Sequence, residues 1–288
     1  MRIRRTAALL ALALAGPLTG CGPDTGDDGR TVVAAFYPVE YLTQRLAGEH
    51  LRVVGLTAPG VEPHDLELKV GQVAEISSAD LVVHEAGLQP AVDEAVVQNA
   101  SDRALDVGRV VDLEGADPHF WLDPVRMKAA ARAIELELEV VDPDHADAYA
   151  ANLAALEDDL DALDQDYRAG LSGCERDTVV TSHDAFGYLT KYGLRLSPIA
   201  GLSPDAEPSA AHLGELRSLI RTEGVTTVFS ETLASPKMAD TLSRDLGLTT
   251  RVLDPIEGVQ KDSDEDYVTL MRANLAALQD ANGCKVAP

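Results

Sequence analysis

The sequence predicts an α/β protein with two lobes, each a parallel β-sheet flanked by helices, joined by one long helix. Short β-branched runs alternate with segments of helical spacing in both halves of the 288-residue chain, a pattern typical of parallel sheets. Between the halves, residues 144–171 lack proline and contain no glycine before Gly170. Leucines recur there at helical spacing, and the length exceeds that of an ordinary globular helix. We therefore interpret this segment as a rigid connector.

The elements follow from these patterns in order. Apolar and β-branched runs predict strands at 31–36, 51–57, 80–84, 104–107, 109–113, 178–182, 194–199, 226–230 and 249–253. Helical spacing predicts helices at 38–47, 69–77, 88–99, 124–140, 144–171, 184–192, 209–223, 236–246 and 264–280. The predicted division is a signal peptide at 1–20, a tether at 21–30, an N-terminal α/β lobe at 31–142, a connecting helix at 143–172 and a C-terminal α/β lobe at 173–288.

The N-terminus has the features of an export signal. Arginines 2, 4 and 5 precede the apolar stretch 7–15, which is too short to span a bilayer. The following residues Leu18-Thr19-Gly20-Cys21 resemble a bacterial lipobox, in which the cysteine is acylated. We expect an exported protein, anchored through Cys21 to the outer face of the bacterial cell membrane without spanning it. The alternative is a chance cysteine after a plain signal peptide.

The charge balance is strongly acidic. Asp and Glu number 48 against 24 Lys and Arg, which gives a formal net charge of −24. Such a chain repels phosphate backbones, so nucleic-acid binding is excluded, whereas cationic ligands are compatible with it. The sequence contains no G-x-x-x-x-G-K motif, so nothing in it indicates nucleotide hydrolysis.

Two further cysteines follow, Cys174 and Cys284. Export places them in an oxidising compartment, and an even number favours a disulfide between them. Two free buried thiols are the alternative. A disulfide would tie the end of the chain to the start of its second half.

Possible metal ligands follow several predicted strands. His64 comes after 51–57, His119 after 109–113, His183 after 178–182 and Asp254 after 249–253. Proteins with open parallel sheets bind their small molecules and ions at the carboxyl ends of the strands. Three imidazoles and one carboxylate suit Zn²⁺. Because each half supplies two of the four, the predicted metal site lies in the cleft between the lobes.

Two acids are candidates to orient these imidazoles. Glu231 follows strand 226–230 and could accept an imidazole N–H, or it could cap the next helix. Asp184, next to His183, is similarly placed. His84 ends a strand and could line the cleft, whereas His145 and His212 are expected to be ordinary surface residues.

The local sequences around the candidate ligands resemble a known family. The four motifs are Gly60-Val61-Glu62-Pro63-His64-Asp65-Leu66-Glu67, Asp117-Pro118-His119-Phe120-Trp121-Leu122-Asp123-Pro124, Thr181-Ser182-His183-Asp184-Ala185-Phe186-Gly187-Tyr188-Leu189 and Leu253-Asp254-Pro255-Ile256-Glu257-Gly258. They resemble, in order, the motifs of the metal-binding lipoproteins of zinc and manganese ABC importers. The resemblance implies two lobes with limited hinge motion, and delivery of the ion to a separate membrane permease powered by a separate ATPase. We expect a monomer.

The chain departs from many zinc members of that family in one place. They carry a long His-rich, acidic loop before the second ligand, whereas residues 112–118 form a short connection without histidine. The resemblance therefore does not extend to ion scavenging by such a loop.

Three functions compete at this point. The ligand set predicts a non-catalytic carrier of Zn²⁺, and a manganese or mixed carrier of the same family is the first alternative. A zinc-dependent hydrolase is the distant alternative, but it needs an open coordination position, and the chain has no H-E-x-x-H motif.

Overall fold

Residues 29–261 and 263–285 are described by a computed structural model. The predicted signal peptide and Cys21 lie outside the described residues. Within the described ranges, no helix combines the length and the apolar content needed to cross a bilayer.

Two four-stranded sheets form the frame, and every strand pair in them is parallel. The strands of the first sheet are β1 Thr31–Ala34, β2 Arg52–Gly55, β3 Leu81–His84 and β4 Ala104–Asp106. Those of the second are β5 Thr178–Thr181, β6 Arg195–Pro198, β7 Thr227–Ser230 and β8 Thr249–Val252. The orders β2-β1-β3-β4 and β6-β5-β7-β8 are the same in both lobes. The predicted two-lobed α/β fold is confirmed.

Helices link the strands and cover the sheets. In the N-terminal lobe they are α1 Tyr37–Ala47, α2 Val70–Ser78 and α3 Pro90–Asn99. The middle of the chain forms α4 Pro124–Val141 and α5 Ala146–Gly170. The C-terminal lobe has α6 Ala210–Glu223, α7 Lys237–Leu246 and α8 Tyr267–Asn282.

Two predicted elements differ from the structure. The strand predicted at 109–113 is absent from the described chain, because the Asp106 carboxylate accepts from Gly108 N and starts a 3-10 turn at Val107–Arg109. Asp112 then adopts a positive φ of 56°, which extended backbone does not allow. The helix predicted at 184–192 is a 3-10 helix over Gly187–Tyr192.

The long helix α5 braces both lobes. It packs against α4 and α1, and also against α8 of the C-terminal lobe. Leu156, Leu160 and Leu163 are fully buried along it, and each such burial contributes roughly 1.5–3 kcal/mol. Their core is continuous with both lobes, so α5 joins the lobes by packing as well as by chain connection.

An ionic cluster holds α5 to the C-terminal lobe. Asp164 on α5 accepts from Tyr192 Oη at 2.7 Å and pairs with Lys191 Nζ at 2.9 Å. Lys191 also donates to Asp123 at the start of α4, at 2.5 Å. Partial burial would raise the pKa of Asp164, but the hydrogen bonds from Arg168, Lys191 and Tyr192 outweigh burial and lower the pKa to about 2.

This lowered pKa predicts a pH-dependent contribution to stability. A carboxylate with a folded pKa below its unfolded value of about 3.9 stabilises the fold above that value, and the stabilisation is lost as the pH falls toward the folded value. We expect Asp164→Asn to lower the free energy of unfolding by about 1–3 kcal/mol at pH 7. The difference in unfolding free energy between the variant and wild type should shrink as the pH falls from about 4 to about 2. Urea unfolding across this range measures it, and a gap that stays constant would contradict the prediction.

The structure joins Cys174 and Cys284 in a disulfide, as predicted. Cys174 follows α5 and Cys284 follows α8. The bond therefore fastens the end of the last helix to the beginning of the C-terminal lobe.

Candidate metal centre

Four side chains from both lobes converge in the cleft. They are His64, His119, His183 and Glu257, and one donor atom from each lies within 4.8 Å of all the others. Three of the four are almost fully buried, whereas His64 keeps 12% of its side chain exposed. Among the described residues this is the only cluster of three or more His, Cys, Asp or Glu with such a geometry.

The spacing of the donor atoms matches a four-coordinate ion. Glu257 Oε1 lies 3.2 Å from His64 Nε2, 3.1 Å from His119 Nε2 and 3.3 Å from His183 Nε2. In a tetrahedral zinc site with bonds of about 2.0–2.1 Å, neighbouring donors are about 3.3 Å apart. The chemistry of the set, three nitrogens and one oxygen, and the spacing around Glu257 therefore fit Zn²⁺.

The loop between β2 and α2 carries His64. The backbone N–H of His64 donates to Glu62 Oε1 at 2.9 Å. Gly60 N in the same loop donates to Val259 O of the C-terminal lobe at 2.8 Å. Gly60 has a φ of 82°, a conformation that a residue with a side chain rarely adopts. The loop thus reaches across the cleft to place the imidazole.

The residues before His119 fix the orientation of its ring. Asp117 Oδ1 accepts from His119 N at 3.0 Å and from His119 Nδ1 at 2.7 Å. A carboxylate only accepts, so Nδ1 carries the proton and the lone pair of Nε2 faces the cluster. Gly187 lies so close that a Cβ there would be 2.7 Å from Asp117 Oδ2, so a larger residue would have to displace the carboxylate that orients His119.

The C-terminal lobe holds the segment around His119 from several sides. Tyr188 Oη donates to Asp117 O at 2.9 Å. Trp121 Nε1 donates to Pro255 O at 2.7 Å, and Tyr267 Oη donates to Trp121 O at 2.5 Å. The segment that carries His119, a ligand from the N-terminal lobe, is therefore held by hydrogen bonds to the C-terminal lobe, which supplies His183 and Glu257.

His183 follows β5 and is oriented by Glu231, the residue after β7. Glu231 Oε1 lies 2.6 Å from His183 Nδ1 and also accepts from the backbone N–H of His183 and from Ser182 Oγ. The same argument as for His119 leaves Nε2 free to face the cluster. Of the two roles that the sequence left open for Glu231, imidazole N–H acceptor and helix cap, these contacts match the first.

The structure does not bring Asp254 into the cluster, and Glu257 occupies the position predicted for it. Asp254 Oδ2 accepts from Thr232 Oγ1 at 2.7 Å, and its Oδ1 accepts from Ile256 N at 2.8 Å. Both oxygens are therefore used to form the turn after β8. Ile256 has a φ of 57°, rare for a β-branched residue, and this turn aims the next side chain, Glu257, into the cleft.

The remaining candidates lie elsewhere. Among the described residues, no hydrogen bond joins the Asp184 carboxylate to either neighbouring imidazole, so its proposed orienting role has no support in the contacts. His145 pairs with Asp142 at 2.7 Å, and His212 bonds Pro198 O at 2.9 Å. His84 lines a separate cavity of the N-terminal lobe.

The electrostatics of the site favour positive charge. Burial would lower the pKa of His183, but Glu231 and Glu257 outweigh it and raise the pKa to about 10. Burial would raise the pKa of Glu257, but hydrogen bonds from His119, His183 and His64 hold it well below its usual value. A divalent cation can replace the protons that these carboxylates attract.

Sequence reasoning missed Glu257, Asp117 and Glu62. Glu257 stands in the fourth motif, but nothing in its spacing reveals the positive φ at Ile256. Asp117 precedes His119 by two residues, and a carboxylate at that spacing from a candidate ligand was the available signal. Burial and the charge of Glu257 raise the pKa of Glu62 to about 8, which reflects its place at the edge of the cluster.

Known proteins resemble the chain over nearly its whole length. The high-affinity zinc uptake system protein ZnuA of Bacillus subtilis is 34% identical, with 95% of this chain and 94% of that protein covered. The zinc-binding lipoprotein AdcA of Streptococcus pneumoniae is 34% identical over 99% of this chain. The chain spans 63% of the length of AdcA.

Solved structures agree with the fold and with the family. The Zn(II)-bound ZnuA-like domain of S. pneumoniae AdcA superimposes with a TM-score of 0.76 at 35% identity, covering 88% of this chain and 98% of that one. The family described as "Zinc-uptake complex component A periplasmic" matches residues 32–281. With a match of this extent and a B. subtilis relative aligned almost end to end, the chain belongs to the ZnuA family of zinc-uptake components.

Proposed function

We propose that this protein captures Zn²⁺ outside the cytoplasm and delivers it to the permease of an ABC importer, which a separate ATPase powers. The observation that carries the proposal is the convergence of His64, His119, His183 and Glu257 within 4.8 Å in the cleft. The printed names of the relatives, zinc-uptake and zinc-binding proteins, support the same ion. The zinc ligands in this proposal are these four residues.

The choice of ion rests on the donor atoms. Imidazole suits Zn²⁺, whereas carboxylate-rich shells suit Mn²⁺. The cluster offers three nitrogens and one oxygen, so Zn²⁺ is favoured over the manganese alternative. Direct competition between the two ions tests this choice, and a preference for Mn²⁺, or rescue of a deletion strain by manganese alone, would overturn it.

The cellular setting is part of the proposal. The family description calls its members periplasmic, and the AdcA relative is named a lipoprotein. Together with the lipobox-like sequence before Cys21, this supports an exported protein held to the outer face of the cell membrane by acylation of Cys21. Loss of membrane association in Cys21→Ala, measured by cell fractionation, is the matching test.

Binding without catalysis fits the site better than hydrolysis does. A catalytic zinc keeps one position open for water, whereas four protein donors can close the shell in this cleft. We expect the zinc-loaded protein to leave esters and amides intact. Metal-dependent hydrolysis that disappears in His119→Ala would revive the hydrolase alternative.

Trp121 provides a direct test of ion capture. It is the only tryptophan, it is fully buried, and its ring centroid lies 5.1 Å from that of His119. Its indole also bonds to Pro255 O, near Glu257. We expect Zn²⁺ to change the fluorescence and the change to saturate at one equivalent. A silent titration, or a change lost equally in His212→Ala, would contradict the proposed site.

The carboxylate behind His183 should tune affinity. Glu231 Oε1 accepts from His183 Nδ1 at 2.6 Å and so fixes the ring. Removing such an outer partner typically costs about 10–100-fold in metal affinity, and we expect a loss of that size in Glu231→Gln. Asp184→Asn is the matched control and should bind much more tightly than Glu231→Gln, because no hydrogen bond joins the Asp184 carboxylate to the ring in the described residues. Competition with a chelator of known affinity measures both, and equal losses would contradict the assignment.

A further inference from the structure

Buried polar atoms without a hydrogen-bond partner concentrate in two places among the described residues. The first is the candidate metal centre, with His183 Nε2, Glu257 Oε2 and Glu62 Oε2. The second lies at the end of β3, with His84 Nδ1, Asp93 Oδ1 and both carboxyl oxygens of Glu85. Buried polar groups are normally satisfied, and an exception often marks a bound ion or water. The second group has no part in the zinc site.

Two of these atoms face each other in a cavity. His84 is the last residue of β3 and is only 7% exposed, and Asp93 lies on α3. His84 Nδ1 and Asp93 Oδ1 are 3.4 Å apart, but they are not aligned as a hydrogen bond. Both residues line a cavity of about 500 Å³ in the N-terminal lobe. Their separation is close to that of neighbouring donors on one zinc ion, about 3.3 Å.

The charges around this pair are mostly negative. Asp106 lines the same cavity, and its carboxylate accepts from the backbone N–H groups of Ala86 and Gly108. Arg109 supplies one compensating charge through its ion pair with Asp106. Glu85, next to His84, is 2% exposed, and burial together with Asp106, Asp117 and Asp93 raises its pKa to about 9. This side chain is therefore protonated and uncharged at neutral pH, and the negative charge at the cavity comes from Asp93 and Asp106. A cation entering this cavity would be stabilised by its surroundings.

We propose that His84 and Asp93 bind a second divalent cation in this cavity, with water completing the coordination shell. The imidazole favours Zn²⁺ over Mg²⁺ or Ca²⁺. With two protein donors instead of four, this site binds more weakly than the centre in the cleft. The proposal is independent of zinc delivery, since it concerns different residues of one lobe.

The test counts zinc ions bound per chain. Equilibrium dialysis against buffered free Zn²⁺, from the nanomolar to the high micromolar range, is followed by elemental analysis. Wild type should take up one tight and one weak equivalent. His84→Ala and Asp93→Asn should each weaken the second equivalent at least tenfold and leave the first unchanged, which also reports that the variants are folded.

His145→Ala is the matched control, because His145 also pairs with a carboxylate, that of Asp142. It should retain both equivalents. Loss of the second equivalent in both cavity variants but not in this control supports the proposal, and any other pattern overturns it, including a wild type that binds one ion. Absence of the tight equivalent, by contrast, counts against the proposed function and not against the second site.

Discussion

Glu257→Gln is expected to weaken Zn²⁺ binding by at least about 100-fold, the upper end of the loss seen when only an outer partner of a ligand is removed. Glu257 Oε1 faces all three imidazoles at 3.1–3.3 Å. It is also the only carboxylate in the four-residue cluster. The amide keeps the size of the side chain but removes its charge, so binding should fall while the fold persists. Chelator competition measures the affinity, and circular dichroism checks the fold.

Asp254→Asn separates the two carboxylates of the fourth motif. The Asp254 oxygens accept from Thr232 Oγ1 and Ile256 N, so the variant should lose about 1–3 kcal/mol of stability. Zinc affinity should remain within a few-fold of wild type, because the turn to Glu257 keeps one acceptor. If Asp254→Asn abolished binding and Glu257→Gln did not, the fourth ligand would be Asp254 after all.

The second large effect is expected from loss of the disulfide. Cys174 and Cys284 are separated by 110 positions, and closing a loop of about 100 residues stabilises a fold by up to about 4.7 kcal/mol in the chain-entropy model. We expect the Cys174→Ser, Cys284→Ser double variant to lose about 2–5 kcal/mol of unfolding free energy. Urea unfolding of the metal-free protein is the measurement, because bound zinc would itself stabilise the folded state.

Each single variant serves as the control for the double variant. Removing either cysteine breaks the same bond, so the single variants and the double variant should lose similar amounts of stability. Zinc affinity should be retained, because both cysteines lie at helix ends apart from the four-residue cluster. A loss below about 1 kcal/mol would show that the denatured chain gains little freedom when the bond is removed.

Much of the fold follows from the sequence because its signals are local and repeated. The apolar spacing along 144–171 predicts α5, which the structure gives as Ala146–Gly170. Strands predicted at 31–36 and 178–182 correspond to β1 and β5. The strand predicted at 109–113 is wrong because the Asp106 carboxylate accepts a hydrogen bond that turns the chain. The spacing of apolar residues carries no information about such a bond.

The sequence predicted those ligands of the candidate centre that follow a strand or lie in a motif of the family. The structure brings His64, His119 and His183 together as predicted. His64 and His183 follow strands, whereas His119 was placed after 109–113, which is not a strand, so its selection depended on the motif around it. The carboxylate was assigned to Asp254 because it directly follows a strand. Its oxygens instead hold the turn, and the positive φ at Ile256 carries Glu257 into the cleft. That outcome depends on tertiary contacts with Thr232, which is distant in the sequence.

The shared strand order makes the lobes topological copies, so residues after matching strands can be compared. His183 lies two residues past β5, and the matching position past β1 is Phe36. Glu231 directly follows β7, and its counterpart after β3 is Glu85. The C-terminal lobe pairs the His183 imidazole with the Glu231 carboxylate at these positions. The N-terminal lobe instead has the phenyl ring of Phe36, which carries no N–H and packs against Trp121 at a centroid distance of 5.2 Å. One copy thus supplies an ion ligand and the other an aromatic support behind the site, and among the described residues the buried Glu85 carboxyl has no imidazole hydrogen-bonded to it.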